Sequence, residues 1–161
     1  MSVVVSNASP LINLARANHF DLLVEFYDQI VIPQAVYDEV VVRGQGRDGS
    51  REVKEASWIE TQVPKDDLAV RALATELGKG EASAIILAQE LQADLLLMDE
   101  TRGRRIAQQL GLNVRGTLGI LARARREGRI PNLRQALDLL RARGTWISSD
   151  LYAEILQLVG E

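Results

Sequence analysis

Apolar residues arrive along this chain in two rhythms. Short unbroken runs, Val3-Val4-Val5, Ile30-Val31-Ile32 and Leu95-Leu96-Leu97-Met98, are bounded by polar or turn residues and read as strands buried on both faces. Residues 58–63 and 112–115 predict two further strands. Between them apolar positions recur at helical spacing, as in Leu11, Leu14 and Ala15, in Ala84, Ile85, Ala88 and Leu91, and in Ile106, Ala107 and Leu110. Ser9 is placed to cap a first helix entered through Pro10, and a second covers residues 21–27. Pro33 stops a strand and opens a helix through Val36, Glu39 and Val40, and a short helix covers residues 50–56. Another runs from about Asp67 to Leu77, Gly78-Lys79-Gly80 breaks it, and Glu81 starts the next. The helix holding Ile106 ends at Gly111, and residues 118–126, 132–143 and 150–159 complete a helical carboxyl-terminal third. Strands alternating with helices predict a three-layer α/β/α sandwich around a five-stranded, mostly parallel sheet, in a single domain over residues 1–161.

The third apolar run, Leu95 to Met98, stops at Asp99-Glu100, and Arg102, Arg104 and Arg105 follow around Gly103. In open α/β sheets ligands bind outside the carboxyl ends of the strands, so acids at that point are placed for chemistry. The arginines beside them suit an anionic substrate. Corresponding places elsewhere hold Asn7 after the first strand, Glu39 on the helix after the second, and Glu81 at a helix start. Hard cations such as Mg²⁺ and Mn²⁺ take oxygen ligands and complete their shells with phosphate oxygens, so a few carboxylates suffice to hold one beside a phosphodiester. Singly, each has a plainer reading: Glu39 as a solvated helix residue, Glu81 as a charge at a helix amino terminus, Asp99 as the cap of the helix from Thr101.

Composition narrows the chemistry. Cysteine is absent, which removes thiolate catalysis and zinc sites built on sulfur. His19 is the only histidine, so a histidine triad or histidine metal site would have to rest on His19 alone, which lies in an expected helix-helix turn with a surface structural role. Any hydrolysis must come from carboxylates. The net charge of −3 hides a division. Residues 1–100 hold 8 basic and 17 acidic side chains, whereas residues 101–143 hold 11 arginines against Glu127 and Asp138. An electropositive face able to gather phosphates is expected, with some of these arginines on solvated helix faces. The start of the chain has no basic, apolar leader pattern and no segment is long enough to span a bilayer, so a cytoplasmic protein without membrane contact is expected.

The order and spacing of several stretches are similar to the PIN-domain family, the nuclease fold of VapC-type toxins. They are Val4 to Ile12, Ile32-Pro33 with Val36 and Glu39, Gly78-Lys79-Gly80-Glu81-Ala82, Leu96 to Glu100 with Gly103-Arg104-Arg105-Ile106-Ala107, Gly116-Thr117-Leu118-Gly119, and the closing Trp146-Ile147-Ser148 to Gly160-Glu161. The resemblance implies Mg²⁺- or Mn²⁺-dependent cleavage of single-stranded RNA, frequent homodimerisation, and a small antitoxin partner where the protein is a toxin. It places Glu39, Glu81 and Asp99 on acidic positions of the site, with Glu100 as a further metal ligand and Ser9 in the substrate groove. Arg102, Arg104, Arg105 and Arg115 are expected to contact phosphates, which positions a strand without reading its sequence.

Asn7 stands where family members carry an Asp. Its amide oxygen can still coordinate a cation, but a unit charge about 4 Å from a divalent ion is worth roughly 8 kcal/mol at an effective dielectric of about 20, before desolvation offsets most of it. Weaker metal binding follows, and the alternative reading is an inactive PIN domain that binds nucleic acid or protein. Gly44-Gln45-Gly46-Arg47-Asp48-Gly49 also matches the dinucleotide fingerprint, but the segment after it is short and polar, so a loop beside the substrate groove is expected instead.

Overall fold

Strands buried on both faces need helices on both sides, and that is the architecture of the computed structural model, which describes residues 2–161. In chain order the elements are β1 (Val4–Ser6), α1 (Ala8–Arg16), α2 (Leu22–Tyr27), β2 (Ile30–Pro33) and α3 (Gln34–Tyr37). A π-helical turn (Asp38–Val42) follows, then α4 (Ser50–Glu55), β3 (Ile59–Gln62), α5 (Asp67–Leu73), α6 (Lys79–Glu90) and β4 (Leu95–Leu97). The chain continues with α7 (Thr101–Gln109), β5 (Val114–Arg115), α8 (Thr117–Arg126), α9 (Leu133–Ala142) and α10 (Ser149–Leu158).

All five strands are parallel in the order β3-β2-β1-β4-β5. β1 is the pivot: it pairs Val5 with Val31 of β2 on one side and with Leu96 of β4 on the other. The two-residue alternation of a strand divides the apolar runs between two cores. Val4, Ile30, Ile32 and Leu97 face the core built with α1, α2, α8, α9 and α10. Val5, Val31, Leu96 and Met98 face a smaller one built with α6 and α7. The strand order reverses direction between β1 and β4, so a crevice opens beyond their carboxyl ends, where Asn7 and Asp99 leave the sheet.

Four local expectations change. The first helix starts at Ala8 rather than after Ser9, because the Asn7 N–H continues the sheet ladder to the Leu97 carbonyl (2.9 Å) and the helix springs directly from the strand. Pro10 falls inside the first turn, where a missing N–H costs nothing, and the Ser9 hydroxyl is released for other work. α5 stops at Leu73, four residues short of Leu77; the Thr75 hydroxyl donates to the Ala72 carbonyl and competes with helix continuation. Asp99 does not cap α7, whose N-cap position is Glu100. Glu39 lies in the π-helical turn, not in an α-helix. That turn closes with Arg43 N–H on the Asp38 carbonyl (2.8 Å) and buries Val40 and Val41 together. It is locked by Gly44, where a Cβ would come within 2.5 Å of the Val40 carbonyl oxygen and 2.9 Å of that of Glu39. Among the described residues, no helix is long and apolar enough to cross a membrane.

Candidate functional site

Five of the residues singled out from the sequence surround the β1/β4 crevice. Asn7 is 2% exposed, and its side chain turns away from capping α1. Its Nδ2 donates to Glu100 Oε1 (3.1 Å), and the Ser9 hydroxyl donates to Glu100 Oε2. Glu100 is therefore held at both oxygens by the first turn after β1. Glu81 is the third residue of α6, close to its own cap at Gly78. Its pKa is raised, first by burial and then by the Glu100 and Glu39 charges, against a lowering hydrogen bond from the Gly78 backbone. Glu39, open to solvent on one side, is raised as well, by burial and by Glu100, with Arg43 pulling the other way. Glu39, Glu81 and Glu100 thus form one like-charged group with the Asn7 amide among them.

Glycines make this approach possible by lacking a side chain. A Cβ on Gly80 would lie 2.8 Å from Glu39 Oε1 and 3.6 Å from Asn7 Oδ1. On Gly103 it would lie 2.6 Å from Met98 Sδ and 3.0 Å from Glu81 Oε2. On Gly116 it would meet Arg104 Nη1 at 2.5 Å and Asp99 Oδ1 at 2.9 Å. None of the three has a positive φ, so each is required by space around the acids rather than by backbone conformation.

Asp99 is set differently. Its Oδ1 accepts from the Thr117 N–H (2.6 Å), and its Oδ2 from the Thr117 hydroxyl (2.7 Å) and Asn13 Nδ2 (2.8 Å). It ties the end of β4 to α1 and to the first turn of α8. Nothing in the sequence marks Asn13, and Thr117 is conspicuous only as part of the Gly116-Thr117-Leu118-Gly119 stretch.

The basic expectations sort out by geometry. Arg104 and Arg105 line a cleft of about 630 Å³ together with Asp99, Glu100 and Thr117. Arg102 is exposed on α7 and is not among the residues of that cleft, and Arg115 lines a separate hollow with Asp94 and Asn113. Among the described residues, none of these four arginines and none of Glu39, Glu81, Asp99 and Glu100 enters a salt bridge. The later arginines are engaged structurally: Arg123 lies 4.0 Å over the Phe26 ring, Arg141 4.0 Å over Tyr152, and Arg125 pairs with Glu161 (2.9 Å). A second hollow on the far side of Glu39 is lined by Arg16, Arg43 and Arg47, next to the glycine-rich loop.

Among the described residues, no three His, Cys, Asp or Glu side chains are grouped closely enough to hold a metal ion by themselves. The donor chemistry nonetheless suits a hard cation: Glu39 and Glu81 have raised proton affinity, to which the Glu100 charge contributes, an amide oxygen joins them, and Gly80 keeps two of these oxygens unobstructed. Such a group is costly unless a proton or a cation neutralises it. The family model DUF3368, described as a PIN domain, matches residues 3–161 of the chain. No curated protein matches it.

Proposed function

Because the chain belongs to the PIN-domain family, a nuclease fold, we propose that it is a divalent-metal-dependent endoribonuclease acting on single-stranded RNA. The observation that carries this reading is the convergence of Glu39, Glu81 and Glu100 around Asn7 at the β1/β4 switch point, next to unpaired Arg104 and Arg105. Glu39, Glu81, Glu100 and the Asn7 oxygen would hold Mg²⁺ or Mn²⁺, with Asp99 bordering them. Such an ion supplies Lewis acidity and charge neutralisation at a phosphodiester. Arg104 and Arg105 bind the phosphates on either side of the scissile bond, Ser9 and Asn7 orient Glu100, and Asp99 keeps the ends of β4 and α8 in register. Cleavage of a labelled single-stranded RNA in Mn²⁺ or Mg²⁺ tests the assignment. Activity should vanish in EDTA and in Glu81→Gln, and a Glu81→Gln protein that cuts as well as the parent would refute it.

A second reading has its own observation. Asn7 Nδ2 donates to Glu100, a bond that an Asp could not make, so this residue serves to hold a neighbour in place as well as to offer an oxygen. A PIN domain specialised in this way binds RNA without cutting it. It predicts salt-sensitive binding, no cleavage in any divalent ion, no thermal shift with millimolar Mn²⁺, and activity gained by Asn7→Asp. A cytoplasmic toxin role, with a small antitoxin and a homodimeric assembly, extends the first reading; growth arrest on expression and sedimentation of the purified protein test it.

A further inference from the structure

Trp146 is 85% exposed, more than any other large apolar side chain described. Trp58, by contrast, packs against Phe20 with ring centroids 5.4 Å apart. The exposure of Trp146 is not that of a loose loop. On one side of it the Thr145 N–H donates to the Leu140 carbonyl (2.9 Å), and the Thr145 hydroxyl donates to Asn13 Oδ1 (2.8 Å) while accepting from Arg16 Nη1 (2.9 Å). On the other, Ile147 is 7% exposed and its carbonyl accepts from Arg141 Nη2 (2.9 Å). The backbone is pinned at both neighbours and the indole is presented to solvent.

It is presented to the cleft that holds Arg104, Arg105, Asp99 and Glu100, where Trp146, Ile147 and Leu151 contribute apolar surface. Asn13 joins the two ends, because it accepts from Thr145 and donates to Asp99 (2.8 Å). One cleft is therefore lined by the carboxylates Asp99 and Glu100, by the guanidinium groups of Arg104 and Arg105, which enter no salt bridge among the described residues, and by an aromatic side chain on a pinned backbone. Cationic groups that follow a phosphate backbone together with an aromatic face on which a base can stack are the two requirements of single-stranded nucleic-acid binding.

We infer that Trp146 is a nucleobase-stacking platform that seats one unpaired base of the substrate while Arg104 and Arg105 hold the adjoining phosphates. The inference rests on the nuclease reading for its ligand and goes beyond it in naming the residue that requires the strand to be single. A base in a duplex is stacked on both faces and cannot cover the indole, so the same contact excludes double-stranded substrates. Stacking tolerates any base, so little sequence preference arises here.

The test compares a short single-stranded RNA with an abasic oligomer of equal length and charge, measuring anisotropy with Ca²⁺ present. The full chain is used as the parent, Trp146→Phe and Trp146→Ala. A stacked base is worth about 5- to 150-fold in affinity. The parent should prefer the base-bearing oligomer about tenfold, Trp146→Phe should retain most of that preference, and Trp146→Ala should bring the two oligomers to parity at the affinity of the abasic one. Trp146 is exposed, so Trp146→Ala should keep the parent Tm, which checks that the variant is folded. Equal affinities in the parent, an intact preference in Trp146→Ala, or no binding of either oligomer overturns the inference. Cleavage in Mn²⁺ is scored separately: preference without cleavage sinks the nuclease reading alone, and cleavage without preference sinks the stacking platform alone.

Discussion

Asp99 and the pair of Glu39 and Glu81 share one rim of the sheet and are treated in opposite ways. Asp99 accepts three hydrogen bonds from Asn13 and Thr117. Glu39 and Glu81 are pushed toward protonation by burial and by neighbouring charge. Asp99 stabilises the fold around it, and Glu100 is likewise held at both oxygens by Asn7 and Ser9; Glu39 and Glu81 are a local cost that a cation would offset. A cluster of acids in sequence is thus two kinds of site in space, and the difference decides what each substitution should do.

The sharpest break comes from Asp99→Asn. The Thr117 N–H loses a charged acceptor, and hydrogen bonds to charged groups are worth about 1.5–3 kcal/mol each. Cleavage should be lost and Tm should fall by about 5–10 °C, read by RNA cleavage and by calorimetry. Glu81→Gln should likewise abolish cleavage, but it relieves repulsion, so the metal-free protein should melt at the same temperature or about 1–3 °C higher. If both variants destabilise equally, the contrast between the two regions is wrong.

Asn7→Asp sharpens the comparison from within the group. It removes the donor to Glu100 and adds a fourth carboxylate, which should cost about 1–2 kcal/mol without metal and enlarge the stabilisation by Mn²⁺. Denaturant titrations with and without the ion read both. Gly80→Ala intrudes on Glu39 Oε1, the movable end of a side chain, so the fold should survive while the Mn²⁺ response declines.

The pH dependence is smaller and has a defined sign. Glu39 and Glu81 have folded pKa values raised above the ordinary 4.5, so the folded state binds their protons more tightly than the unfolded state does. Their contribution to stability is fully present below the unfolded value and is lost as pH rises through the folded value. Stability of the metal-free parent relative to a Glu39→Gln, Glu81→Gln double variant should therefore improve on acidification toward 4.5, and saturating Mn²⁺ should remove that trend. Smallest of all, Arg102→Ala should leave RNA binding nearly unchanged, whereas Arg104→Ala should reduce the salt dependence by about one phosphate contact.

Much of the fold was legible because its signals are local. Three apolar runs became three adjacent parallel strands, with ends displaced by a residue, since a strand buried on both faces has no other reading at that length. The π-helical turn was not legible: Val40-Val41-Val42 looks like any apolar run, and only the demand to bury Val40 and Val41 against the core while Gly44 closes the turn produces it. The acids can be picked out by their places after strands and at helix starts, but nothing local distinguishes Asp99, whose oxygens accept from Asn13 and Thr117, from the rest. Those partners lie 86 and 18 residues away, beyond any local pattern.

Residue order by itself determined that two cores sandwich a parallel sheet, that no thiol chemistry is available and only one imidazole, and that acids follow the strands, because periodicity and composition act within a few residues of one another. The tertiary structure decided which acids repel, which are satisfied, which arginines remain free and where Trp146 is displayed. Those outcomes depend on distances between segments remote in the chain, and the strength of a charge or an exposed ring is set by what folding brings next to it.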